Sequence, residues 1–190
     1  MMSMQRFKSR PTGPGQTFVS RLAAWLGAAL LLLAGLPARA ELNVNIEDGF
    51  VKPLPIAITD LYGQLPEESK LGADIAGVIA ANLERSGLFR PVDKRAFIQD
   101  VSSLRSGPRF GDWRLINADA LVAGNVQLQD DGRMKVQFRL WDVYAEAQMT
   151  GLQYTTTPAN WRNIAHRISD QIYQRLTGES GYFTTQIVYV

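Results

Sequence analysis

Residues 120–140 hold the pattern that most narrows the fold. Ala120, Val122, Val126 and Leu128 alternate with Asn125, Gln127 and Gln129. Asp130-Asp131-Gly132 follows, and then Met134, Val136, Phe138 and Leu140 alternate with Lys135, Gln137 and Arg139. Successive strand side chains point to opposite faces, so period two marks strands with one apolar side. Asp-Asp-Gly is turn chemistry, and the two runs read as an antiparallel hairpin with one wet face. Its apolar face needs a covering layer.

Two long segments fit that layer. From about Glu67 to Arg85, Leu71, Ile75, Val78, Ile79 and Leu83 share one helical face. Glu67 and Glu68 sit in the first turn, where the helix dipole favours anions. Ser86-Gly87 is the stop, with Gly87 suited to the left-handed position. The second helix opens at Thr157-Pro158, with Thr157 as N-cap and Pro158 as first residue, and ends at Gly178. Its stripe is Trp161, Ala165, Ile168, Ile172 and Leu176. One stripe each lets both helices lie on one sheet face.

Further strands read as Leu54 to Asp60, Leu88 to Val92 and Met149 to Thr156, the last with Leu152 and Tyr154 on one face. Pro91 confines the second of these to an edge. Residues 93–109 are irregular, with one helical turn near Arg95 to Asp100, and Phe110 to Asn117 is a short helix. Residues 181–190 form one more strand-like run. The fold class is mixed α/β (α+β): a mixed sheet of about five strands with two long helices on one face.

The N-terminus has a different composition. Arg6, Lys8, Arg10 and Arg21 precede an apolar run from Leu22 to Leu36, then Pro37 and Ala38-Arg39-Ala40. A charged front, a short apolar middle and small residues at −3 and −1 compose a secretory signal, cleaved between Ala40 and Glu41. The run is shorter than the roughly 20 apolar residues of a membrane span. The chain has no cysteine, which excludes a lipidated N-terminal Cys, disulfides and thiolate metal sites. Residues 1–40 hold five of the 20 Lys+Arg and none of the 18 Asp+Glu, so residues 41–190 carry net charge −3. That balance gives no electrostatic reason to expect nucleic acid.

Residues 41–53 form an acidic lead-in in which Leu42, Val44 and Ile46 alternate with Asn43, Asn45 and Glu47, before Gly49 and Pro53 interrupt. It is a strand of the sheet or a free arm able to become one.

The residues offer little chemistry. His166 is the only histidine and lies on the flank of the last helix stripe, a hydrogen-bonded or solvated side chain without metal or triad partners. Glu47/Asp48, Glu67/Glu68 and Asp130/Asp131 are neighbouring acids with roles in solvation, helix start and turn. Acid–base catalysis needs two carboxylates in unlike environments. No catalytic, cofactor or metal residue is assigned. Trp113 and Trp161 read as core. Trp141 falls on the wet parity of its strand, a candidate contact with another domain.

The ordered set of segments resembles the N-terminal domain of the TolB family, periplasmic components of the Tol–Pal envelope system. The resemblance rests on the acidic start Glu41-Leu-Asn-Val-Asn-Ile46 with Gly49, and on the helix from Asp74 with its Ser86-Gly87-Leu-Phe89 exit. It continues through Trp113 before Ala118-Asp119-Ala120-Leu-Val-Ala-Gly124, the Asp130-Asp131-Gly132 hairpin, Leu176-Thr177-Gly178 and the run from Gly181 to Val190. Gln186 departs from a position that is often basic in the family. The resemblance implies a signal over 1–40, a partner-binding arm over 41–53, an α/β domain over 54–180, and over 181–190 the start of a β-propeller that this sequence does not contain. It implies that Glu41, Leu42, Val44, Ile46 and Gly49 contact the periplasmic domain of TolA. Binding of the lipoprotein Pal belongs to the propeller and maps to no residue here. The implied function is a non-catalytic, monomeric periplasmic adaptor for envelope integrity and division, with colicin import as a family property. Rival readings are an envelope-assembly accessory protein that activates a cell-wall enzyme, and a small periplasmic hydrolase.

Overall fold

In the computed structural model, residues 52–185 are described. Their centre is β1 (Leu54–Ile58), buried along its whole length. β1 lies between β2 (Phe89–Pro91) and β3 (Ala120–Leu128), parallel to both. β3 pairs antiparallel with β4 (Met134–Asp142), and β4 with β5 (Ala147–Thr156). The order β2-β1-β3-β4-β5 gives the five-stranded mixed sheet expected from the sequence. Strands buried on both faces read as continuous apolar runs, and Leu54-Pro-Ile-Ala-Ile58 is one.

The long helices α1 (Pro66–Arg85) and α3 (Trp161–Thr177) pack on one sheet face. Ile75, Ile79, Leu83, Ala165, Ile168, Ile172 and Leu176 are buried there against Ile56, Val122, Val136, Phe138 and Leu140. Full burial of each large aliphatic chain contributes about 1.5–3 kcal/mol. Gly87 and Gly178 close the helices at positive φ of 76° and 79°. A Cβ at Gly72 would lie 1.9 Å from the Leu61 carbonyl oxygen, so only glycine lets α1 approach the end of β1 this closely.

The opposite face carries a second, smaller core. Two 3-10 turns, Lys94–Ala96 and Val101–Ser106, and the short helix α2 (Phe110–Leu115) cross it. Leu104 and Trp113 pack there with Ala57, Leu121, Ala123, Trp141 and Val143. This overturns the reading of Trp141 as an exposed contact. The residue is only 7% exposed, because the irregular 93–117 segment covers the lower half of the face expected to be wet.

Three further expectations change. In place of the helical turn expected near Arg95 to Asp100 there are two 3-10 turns, one overlapping the start of that span and one just after it, each opened by an Asp side chain, Asp93 on Arg95 N–H and Asp100 on Ser102 N–H. Pro158–Asn160 forms a 3-10 turn, so the α-helix starts at Trp161, and Thr157 makes no side-chain cap. Residues 181–185 are not strand. Tyr182 to Thr185 forms a turn docked on α3, and residues 186–190 lie outside the described residues. Asp170 holds this turn by accepting from Phe183 N–H at 2.7 Å and from Thr184 N–H and hydroxyl at 3.2 and 2.7 Å.

Candidate functional site

Ala40, Glu41, Leu42, Val44, Ile46 and Gly49 lie outside the described residues, as does the signal over 1–40. What the structure places is the segment that follows them, from Lys52 onward. Lys52 and Pro53 lead directly into β1, beside a group of charges at the foot of the sheet. Asp119 sits there with Lys52, Arg90 and Asp142 close enough to act on it. Burial pushes its carboxyl above the usual range; Lys52 pulls it down, Asp142 pushes it up and Arg90 pulls it down. Asp142 is engaged by the Tyr144 and Ala145 N–H groups at 2.9 and 2.8 Å.

A concavity of about 600 Å³ lies elsewhere, over the second sheet face. Its floor is Asn125, Gln127, Gln137, Arg139 and Trp141, and its walls are the Tyr62–Leu65 loop and Leu104–Arg105. The loop is fixed to the sheet by main-chain bonds: Tyr62 N–H to Gly124 C=O at 2.9 Å and Val126 N–H to Tyr62 C=O at 2.8 Å. The Arg105 guanidinium rests over the Tyr62 ring, 5.0 Å from its centre.

Among the described residues Glu68 is the one carboxylate lining this cleft, and it is 3% exposed. Burial raises its pKa, but N–H bonds from Leu128, Leu65 and Gln64 outweigh that and hold it below the ordinary value. The distances are 2.7, 3.0 and 2.9 Å. A carboxylate saturated by three main-chain donors is a structural tie and is not placed as a proton carrier. Sequence reasoning put Glu68 at the helix start but missed its reach to Leu128, sixty residues away.

His166 is the hydrogen-bonded side chain expected. Its Nδ1 lies 2.9 Å from Asn82 Nδ2, which also donates to Ser169 Oγ at 3.0 Å. Asn82 and Ser169 are buried between α1 and α3, a polar link inside the helix layer. Among the described residues no group of three or more His, Cys, Asp or Glu could hold a metal ion. Nor is any described helix long and apolar enough to cross a membrane.

The profile of the TolB amino-terminal domain matches residues 42–149. The chain belongs to the TolB amino-terminal domain family. Its match to the Tol-Pal system protein TolB of Paramagnetospirillum magneticum is 51% identical over 176 residues, 90% of this chain and 39% of the relative. The crystal structure of TolB from Acinetobacter baumannii aligns at TM-score 0.58 and 23% identity, over 70% of this chain and 30% of that one. That alignment supports the TolB-like fold. The chain spans about two fifths of the length of the curated TolB relative it matches.

Proposed function

We infer that this chain is the amino-terminal part of a non-catalytic adaptor in the Tol–Pal envelope system, working in the periplasm. The observation that carries the reading is the 51% identity with a Tol-Pal system TolB across 90% of the chain. Residues 41–53 act as an arm for the periplasmic domain of TolA, with Glu41, Leu42, Val44, Ile46 and Gly49 in contact. An alternating segment with a free end adds to a sheet edge of its partner, main-chain bonds giving affinity and every second side chain giving fit. Removal of the signal after Ala40 frees that end. Contact with Pal is left to a propeller, and the envelope and division roles follow from bridging the two membranes.

The test is capture by an immobilised TolA periplasmic domain. The chain matured from its full precursor should be retained, and the same chain lacking 41–52 should flow through. Equal retention of both would overturn the assignment of the arm, while retention of neither would overturn the adaptor reading itself.

A further inference from the structure

The two edges of the sheet are unlike. β2 is three residues long, and Pro91 leaves it without one main-chain donor. Short edges and edge prolines are devices that block strand addition. β5 has neither. It runs for ten residues, Ala147-Gln-Met-Thr-Gly-Leu-Gln-Tyr-Thr-Thr156, without a proline or a charge. Among the described residues no strand pairs with its outer side.

The register shows what that side offers. Gln129 N–H donates to Arg133 C=O at the turn, so alternation hands Lys135, Gln137 and Arg139 to β3, and Val136, Phe138 and Leu140 to β5. Opposite these, Tyr154, Leu152 and Thr150 turn their main chain inward. The main chains of Gly151, Gln153 and Thr155 therefore face outward.

Cations surround this row. Lys135 and Arg139 stand opposite Thr155 and Gly151 on β4 and make no ion pair among the described residues. The Arg139 stem leans over Gly151, its Cγ 3.4 Å from where a Cβ would stand. From α3, Arg175 Nε donates to the Met149 carbonyl at 3.2 Å, and Arg167 acts on Tyr154. The carboxylates at hand are engaged: Asp170 by Phe183 and Thr184, Glu146 by Arg114 at 2.8 Å.

We propose that the outer edge of β5 is a strand-addition site for an extended, acidic segment of a partner protein. The ladder fixes the partner's main chain at Gly151, Gln153 and Thr155. Lys135 and Arg139 select acidic side chains on one face. A second copy of this chain would bring further cations to the seam, with its nearby carboxylates Asp170 and Glu146 already engaged, so the charge favours a foreign acidic strand.

Two labelled synthetic peptides, one alternating Val with Glu and one alternating Val with Lys, test this by fluorescence anisotropy against the full chain. The acidic peptide should bind at least about tenfold tighter than the basic one, about 1.4 kcal/mol. Gln153→Pro removes an outward N–H without touching the inner ladder and should weaken binding about tenfold or more. Gln153→Ala keeps the N–H and should stay within about twofold. Arg139→Gln should reduce the preference for the acidic peptide. Equal binding of both peptides, or unchanged binding by Gln153→Pro with its circular dichroism intact, overturns the proposal. Dimerisation lost in Gln153→Pro would assign the edge to a second copy. Binding seen only after deletion of 41–51 would assign it to the chain's own arm. Either result also overturns the proposal.

Discussion

The Glu68 carboxylate accepts the Leu128 N–H at 2.7 Å, joining the first turn of α1 to the last residue of β3. The same group accepts from Gln64 and Leu65, so one side chain ties loop, helix and sheet. Glu68→Ala leaves three donors without this acceptor and should cost about 3 kcal/mol, read by urea denaturation. A loss below about 0.5 kcal/mol would show that water replaces the carboxylate.

Acid should act through the same residue. Its folded pKa lies below the unfolded one, so its stabilisation is complete above the unfolded pKa and is lost as pH falls through the folded value. Denaturation midpoints measured from neutral pH into the acid range should fall less steeply in Glu68→Gln than in the parent chain.

Asp119 should show the opposite sign. Burial lifts its folded pKa, so the folded state binds more protons there, and stability falls as pH rises through the gap between unfolded and folded values. Asp119→Asn should flatten that slope and be the more stable chain at neutral pH. A variant with the parent's pH profile would rule Asp119 out as its source.

Trp141 is enclosed by the second core, so Trp141→Ala should open a cavity and cost about 3 kcal/mol or more. A surface tryptophan would lose less than about 0.5 kcal/mol. Thermal unfolding of the variant separates the two outcomes.

Asn82 and Ser169 should be coupled. Removal of the Asn82 amide takes a donor from Ser169 Oγ and a partner from His166. A double-mutant cycle of Asn82→Ala with Ser169→Ala should return an interaction of about 0.5–1.5 kcal/mol. Strict additivity would mean that the buried pair contributes nothing jointly.

Periodic segments were legible in the sequence. The hairpin over 120–140, both helix stripes, the Gly87 and Gly178 stops and the edge position forced by Pro91 all follow from spacing or from backbone limits. Trp141 was not, because its parity is polar and its cover comes from Phe97, Leu104, Phe110, Trp113 and Ile116. Those residues share no repeat, so no periodicity betrays that they form a layer. Glu68, Asn82 and Asp170 were missed as ties for a related reason. Each acts on a partner that only the tertiary fold brings near, and a polar residue on a helix looks the same in sequence whether water or a distant N–H meets it. Of the proposed partner site, the alternation of 41–47 was legible, and those residues lie outside the described structure.

The described chain enters the domain through β1, and β1 has a parallel neighbour on each side. A pull on Lys52 directed back along the axis of β1 loads that strand end-on. It meets the hydrogen bonds to β2 and β3 side-on and together, in shear, and does not peel them one at a time. An edge strand would unzip under the same tension. Tension applied at the N-terminal end of this domain is therefore borne by two ladders at once.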